Sequence, residues 1–199
     1  MIKKCFSLLV LVLCLAVAKA QTADSVLLNK LGDFDMATLS GDANTAISIG
    51  EKILPDTAKM EPKVRINFFA KLAKAYDDGD EDAKAIPYYE KVVAAEPNYY
   101  VAQRGLGYLY NAKAEDIQLK LYITPKDSPD YKALFESYRK DVQKALPLLE
   151  KAQACDADDD TLDLIRTLYM NIHDEQGLNS LKSRLPGLAK NCVDLLSDK

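Results

Sequence analysis

The chain has 199 residues, 48% of them hydrophobic and 28% charged. That suffices for a domain with a real core and excludes wholesale disorder. A net charge of −4 repels phosphate backbones and argues against a nucleic-acid binder. Only eight glycines and eight prolines interrupt the chain, so long stretches lack breakers and lean helical.

The first twenty residues read as a separate object. Lys3 and Lys4 form a short positive region, Phe6 to Ala18 runs apolar, and Ala18-Lys19-Ala20 has the small-x-small form of a signal-peptidase site. The apolar run of about 13 residues is short of the roughly 20 needed to span a bilayer. A cleaved signal over residues 1–20 is expected, with a mature chain starting at Gln21 and a periplasmic or secreted location. Cleavage removes Lys3, Lys4 and Lys19 and no acid, moving the charge from −4 to −7. Without a basic amphipathic segment, no stable membrane insertion is expected. Cys155 and Cys192 remain after cleavage. An oxidising compartment permits a disulfide between them, but geometry decides it, and the sequence leaves it open.

Residues 21–199 are expected to form a single helical domain. Near its start, Gly41-Asp42 marks a turn, and Ala46 opens a helix running through Leu54. Next, Phe69, Leu72, Ala73 and Tyr76 share a face of one helix, and Ala85, Tyr89 and Val92 share a face of the next, which Pro97 stops. Between them lies Asp77-Asp78-Gly79-Asp80-Glu81-Asp82. A calcium loop would need an acid where Tyr76 stands, so the run reads as a solvated turn whose acids favour the N-terminus of the helix after it. Leu106-Gly107 and Tyr110 repeat the first pattern. The phrase Ala85-Ile86-Pro87-Tyr88-Tyr89-Glu90-Lys91-Val92 returns as Ala145-Leu146-Pro147-Leu148-Leu149-Glu150-Lys151-Ala152.

An insertion separates Tyr110 from Ala145. The stripe Leu106, Tyr110, Ala114, Ile117, Leu121 continues past the point where a turn is due. Thr124-Pro125-Lys126-Asp127 breaks it, and Ser128 and Pro129 suit the start of a second long helix striped by Leu134, Tyr138, Val142, Ala145, Leu149 and Ala152. Pro147 then falls inside that helix and should kink it. Asp156 to Asp160 is a turn before a helix carrying Ile165-Arg166 and Tyr169, and His173-Asp174 is the next turn. Finally Leu185, Leu188, Cys192, Val193 and Leu196 make one apolar face, read as a capping helix after Pro186.

These offsets resemble the tetratricopeptide repeat (TPR) family over about residues 25 to 186. The resemblance implies an all-α, TPR-like helical-hairpin solenoid of about four repeats, with an elongated third hairpin and a C-terminal capping helix. The long third repeat and the Ala-Gln signal end resemble small exported TPR proteins of Bacteroidota, which implies the periplasm or outer-membrane periphery. The family's concave surface is lined by the first helix of each repeat. By position this implies Asn67, Ala70, Lys74 and Asp77, then Val101, Arg104, Tyr108 and Asn111, then Asp163, Thr167 and Met170. The expected partner-binding residues are Asn67, Lys74, Arg104, Tyr108 and Asn111. Arg104 and Tyr108, one turn apart, suit a peptide carboxylate and an apolar side chain. The family's carboxylate clamp is incomplete, because Ala70 and Tyr108 occupy slots of that set.

No catalytic set, cofactor or metal is expected. His173 is the one histidine, and nothing places either cysteine near it. The leading expectation is a protein- or peptide-binding adaptor. The alternative is a structural subunit of a cell-envelope assembly docking through the long hairpin. Self-association through a free face stays open.

Overall fold

The computed structural model describes residues 25–194 and 196. The export signal expected over residues 1–20 lies outside the described residues. The chain divides into two compact units after Glu61. Among the described residues the regular structure is helical, and the only backbone pairing outside helices and turns is a single bridge between Tyr99 and Val193.

The first unit is one helical hairpin. Helix α1 covers residues 25–39 and α2 covers Ala43–Ile53. Gly41 takes φ 73° at the turn, a backbone region glycine enters without steric cost. Asp42 then caps α2 by accepting from the Thr45 N–H at 3.0 Å, which satisfies an amide that the helix itself leaves unpaired. Phe34, Ala46 and Ile53 are fully buried between these elements. A short 3-10 helix, Leu54–Lys59, ends the unit.

The second unit holds three hairpins: α3 (Pro62–Asp78) with α4 (Asp82–Ala95), α5 (Tyr100–Ile123) with α6 (Pro129–Cys155), and α7 (Asp159–Asn171) with α8 (Glu175–Leu188). Each helix packs on its hairpin partner, and α4 on α5 and α6 on α7 join successive hairpins. The residues at TPR offsets are its core. Leu72, Ala73, Ala85, Val92 and Ile165 are fully buried, and Phe69, Tyr76, Tyr89, Leu106, Tyr110 and Tyr169 are nearly so. Each large side chain contributes about 1.5–3 kcal/mol by leaving water. Gly107 shows why a small residue comes after the leucine. A Cβ there would lie 2.8 Å from two carbons of the buried Leu149 side chain, so α5 and α6 approach closely only through glycine.

The third hairpin is elongated as its stripes predict. Helix α5 has 24 residues and α6 has 27, about 36 and 40 Å at 1.5 Å per residue. Ser128 caps α6 by accepting from the Tyr131 N–H at 3.1 Å, with Pro129 in the first turn. Helix α6 passes through Pro147. Pro147 and Gln143, whose carbonyl loses its usual donor, are both exposed, which leaves that carbonyl's side of the helix open to solvent.

The C-terminal end corrects one expectation. The last helix, α8, contains Pro186 near its end and does not begin after it. Residues 189–194 are not helical. Asn191 turns the chain at φ 57°, and two tethers hold the segment beyond it. Cys192 is disulfide-bonded to Cys155, with Cα atoms 5.6 Å apart. Val193 pairs with the 98–100 corner, donating to the Asn98 carbonyl at 2.8 Å and accepting from the Tyr100 N–H at 3.2 Å. Backbone bonds to another segment prevent the i to i−4 bonds a helix needs, so the apolar spacing there reflects burial without helix.

Candidate functional site

The residues predicted for the groove meet different fates. Asn67, on α3, donates its Nδ2 to the Leu196 carbonyl at 3.4 Å. Lys74 is exposed and ion-paired with Asp78 one turn on. Arg104 is spent within the chain: one guanidinium nitrogen sits 2.7 Å from the Asp156 carboxylate, and another donates to the Asp156 carbonyl. The Tyr108 hydroxyl lies 2.8 Å from Thr161 Oγ1. Arg104 therefore binds the connection after α6, and Tyr108 the first turn of α7. Asn111, expected in the groove, is 7% exposed and gives its amide to Glu115 at 2.8 Å. Of the other groove positions, Ala70 is buried, whereas Val101 and Met170 are exposed. The structure thus engages Arg104 and Tyr108 in internal contacts between repeats.

Exposed apolar side chains occur on α1, at Val26, Leu28, Met36 and Leu39, and again at the tip of the third hairpin. The last two turns of α5 expose Leu119, Tyr122 and Ile123 at 71%, 93% and 82%. Leaving all three in water forgoes the gain of apolar burial. A cleft of about 720 Å³ opens beside them. Its floor is an aromatic ladder on α6. Tyr131 stacks on Phe135 with ring centres 6.5 Å apart, and Phe135 on Tyr138 at 6.4 Å. The ladder arises from spacings of four and three on one helix face. His173 extends it from the end of α7, its ring 6.0 Å from Phe135. It adopts φ 58° in the turn leaving that helix, which swings the imidazole over the ladder.

Polar groups share the lining with the rings. Asn171 donates to the Tyr138 hydroxyl at 3.0 Å. Burial raises the ionisation point of that phenol, partly offset by the amide bond, with Glu115 adding a small upward push. Gln118, Thr124 and Lys126 line the rim, and Lys126 is the one lysine, arginine or acid among the lining residues. Sequence reading missed Leu119, Tyr122 and Ile123 because they lie off the buried stripe. The signal was present: Leu119-Lys120-Leu121-Tyr122-Ile123 puts apolar residues all around a helix end, where one face would suffice for a core.

No group of three or more His, Cys, Asp or Glu converges to hold a metal among the described residues. No described helix is long and apolar enough to cross a membrane. The most concentrated polar network joins the last two hairpins. Glu150, 5% exposed, takes Arg184 Nη2 at 2.6 Å and Nε at 3.2 Å and accepts the Tyr169 hydroxyl. Burial and the Glu150 carboxylate together push the Tyr169 phenol far above its ordinary value of 10.0. This network ties α8 to α6 and α7.

No protein-family profile matches the chain, and no curated protein does. Among solved structures it is similar to a Podosopora anserina kinesin light chain-like protein with nearly identical TPR-like repeats, at 18% identity and TM-score 0.36, covering 82% of this chain and 94% of that one. A second crystal structure of that protein gives 18% identity and TM-score 0.35 over 82% and 95%. It is also similar to MamA, at 17% identity and TM-score 0.39 over 86% and 98%. The assignment of an all-α, TPR-like hairpin fold rests on the buried repeat positions of this chain itself.

Proposed function

We propose that this chain is a protein-binding scaffold module of the bacterial periplasm that docks its partner through the tip of the elongated third hairpin. The observation that carries the reading is that two highly exposed apolar side chains, Tyr122 and Ile123, line the aromatic cleft, with the exposed Leu119 next to them on α5. The occupant is a peptide segment of a partner protein with a large apolar side chain next to a carboxylate. The apolar group fits the ladder of Tyr131, Phe135 and Tyr138, and the carboxylate complements Lys126 at the rim. Export is supported by the Cys155–Cys192 disulfide, since reducing compartments keep thiols reduced, and by the signal-like composition of residues 1–20. The Arg104 and Tyr108 groove is a weaker docking surface, because both side chains already have partners within the chain.

Selection of a random phage-displayed peptide library on the intact protein tests this. Enriched peptides should carry a large apolar residue beside Asp, Glu or a free C-terminus. Binding of the selected peptide should fall at least about tenfold with Phe135→Ala or Lys126→Glu, as expected for loss of one anchor. An absence of enrichment, a basic consensus, or peptides indifferent to both substitutions but sensitive to Tyr108→Ala would refute docking at the tip.

A further inference from the structure

The non-helical tail after α8 is seated as a ligand would be. Helix α5 begins at Tyr100, and its N-cap, Tyr99, makes no side-chain capping bond. The first amides of a helix need acceptors. For Tyr100 the acceptor is the Val193 carbonyl, while the Val193 N–H returns a bond to Asn98. Both bonds use backbone only, the pattern by which an extended peptide adds to an exposed chain segment. Beside them Val193 and Leu196 form one wall of a pocket of about 450 Å³ whose other walls include Pro62 and Ile66 of α3 and Ala95 of α4. Asn67, singled out as a groove residue, donates to the Leu196 carbonyl. So the tail supplies two backbone bonds, one side-chain-held carbonyl and two apolar side chains to a surface built by α3, α4 and α5.

What keeps the tail there is separate from what it contacts. Cys192, adjacent to Val193, is bonded to Cys155 at the end of α6. Lys151 Nζ donates to the carbonyls of Leu188 at 2.8 Å and Lys190 at 2.9 Å. Cys192 is exposed, so a thiolate can reach its sulfur.

We propose that the 98–100 corner and the adjoining pocket form a second peptide site, for an extended segment with apolar side chains spaced like Val193 and Leu196. In the oxidised chain its own tail fills the site, and reduction of Cys155–Cys192 opens it. A dithiol reductant does this in two balanced steps. One thiolate attacks Cys192 Sγ, and Cys155 leaves as a thiolate that takes a proton. The second thiol of the reductant then displaces Cys192, which leaves as a thiol, and the reductant becomes a disulfide. Two electrons and two protons reach the protein. This site does not depend on the hairpin-tip reading.

The test uses the full chain, oxidised and after treatment with dithiothreitol. Hydrogen exchange should show the Tyr100 and Val193 amides losing at least about tenfold protection on reduction while α7 and α8 keep theirs, as for a local opening. A fluorescent peptide of residues 190–196 carrying Cys192→Ser should bind the full-length Cys155→Ser/Cys192→Ser variant at least about tenfold more tightly than the oxidised chain, since the disulfide sets the tail's effective concentration. Ile66→Glu should abolish that binding with the circular dichroism unchanged. Unchanged exchange at Tyr100 and Val193, loss of protection throughout α7 and α8, or equal peptide binding to both forms would overturn the proposal. The second of these outcomes would make the disulfide a simple staple of the last hairpin.

Discussion

Substituting Gly107 measures how closely α5 and α6 approach. Alanine is a better helix former than glycine by about 1 kcal/mol, so the local effect of Gly107→Ala is stabilising. The packing effect opposes it. The new Cβ would stand 2.8 Å from Leu149 Cγ and Cδ2 and 3.3 Å from the Leu149 backbone nitrogen. Leu149 is 0% exposed, so its side chain has nowhere to retreat, and the backbone of α6 must shift. Overpacking of this kind costs about 1–3 kcal/mol, and contact with backbone puts this case at the upper end. The net expectation is a loss of about 2 kcal/mol. With a urea dependence of about 2 kcal/mol per molar, the midpoint of unfolding falls by about 1 M. Gly187→Ala is the control in the same unit. Nothing lies within 4 Å of its added Cβ, so stability should hold or rise by up to about 1 kcal/mol. Urea unfolding monitored by circular dichroism reads both variants. If Gly107→Ala unfolds at or above the wild-type midpoint, the close approach is wrong. If Gly187→Ala falls equally, the loss does not come from that contact.

The same geometry sets three further outcomes. Arg184→Ala leaves Glu150 buried without its cation and should lower stability by about 3 kcal/mol, the low end for a broken buried pair because the arginine side chain is 34% exposed; the double variant Glu150→Gln/Arg184→Met should lose less in the same urea assay. Tyr89, Tyr110 and Tyr169 are all held well above 10.0, chiefly by burial, with nearby carboxylates adding to it. Since their folded values are raised, the stability they contribute is complete below pH 10 and is lost as pH rises beyond it. Their tyrosinate absorbance should therefore appear together with loss of helical dichroism, and ionisation with the helices intact would contradict the burial. Tyr122→Ser and Ile123→Ser, at highly exposed tip positions, should change unfolding by less than about 0.5 kcal/mol, so any effect on peptide binding reports the surface itself.

The core was legible because helical hairpins repeat one packing problem. Phe69, Leu72, Ala73, Tyr76, Ala85, Tyr89 and Val92 occupy fixed offsets, and each is buried. The elongated hairpin was legible for the same reason, down to the Ser128 cap. The site was less so. Periodicity shows which face of α5 is buried but not what its other face meets, so it could not reveal that Arg104 and Tyr108 are taken by Asp156 and Thr161. Leu185 to Leu196 has helical spacing, yet the helix ends at Leu188, and tertiary tethers at Cys192 and Val193 hold the rest in another conformation. Those tethers join residues far apart in the chain, which a local window does not see.

The contact between Asn67 and Leu196 spans 129 positions and changes how the second unit should come apart. An array of hairpins behaves as a one-dimensional chain of neighbours, each end free to fray alone. Here the trailing segment returns to the leading helix of the same unit, so the array is closed into a loop. Fraying of α8 must first detach the tail from the 98–100 corner and from α3, which couples the last hairpin to the first. Beyond release of the tail itself, loss of order in the second unit then becomes more concerted, and its formation includes an encounter between residues far apart in the chain.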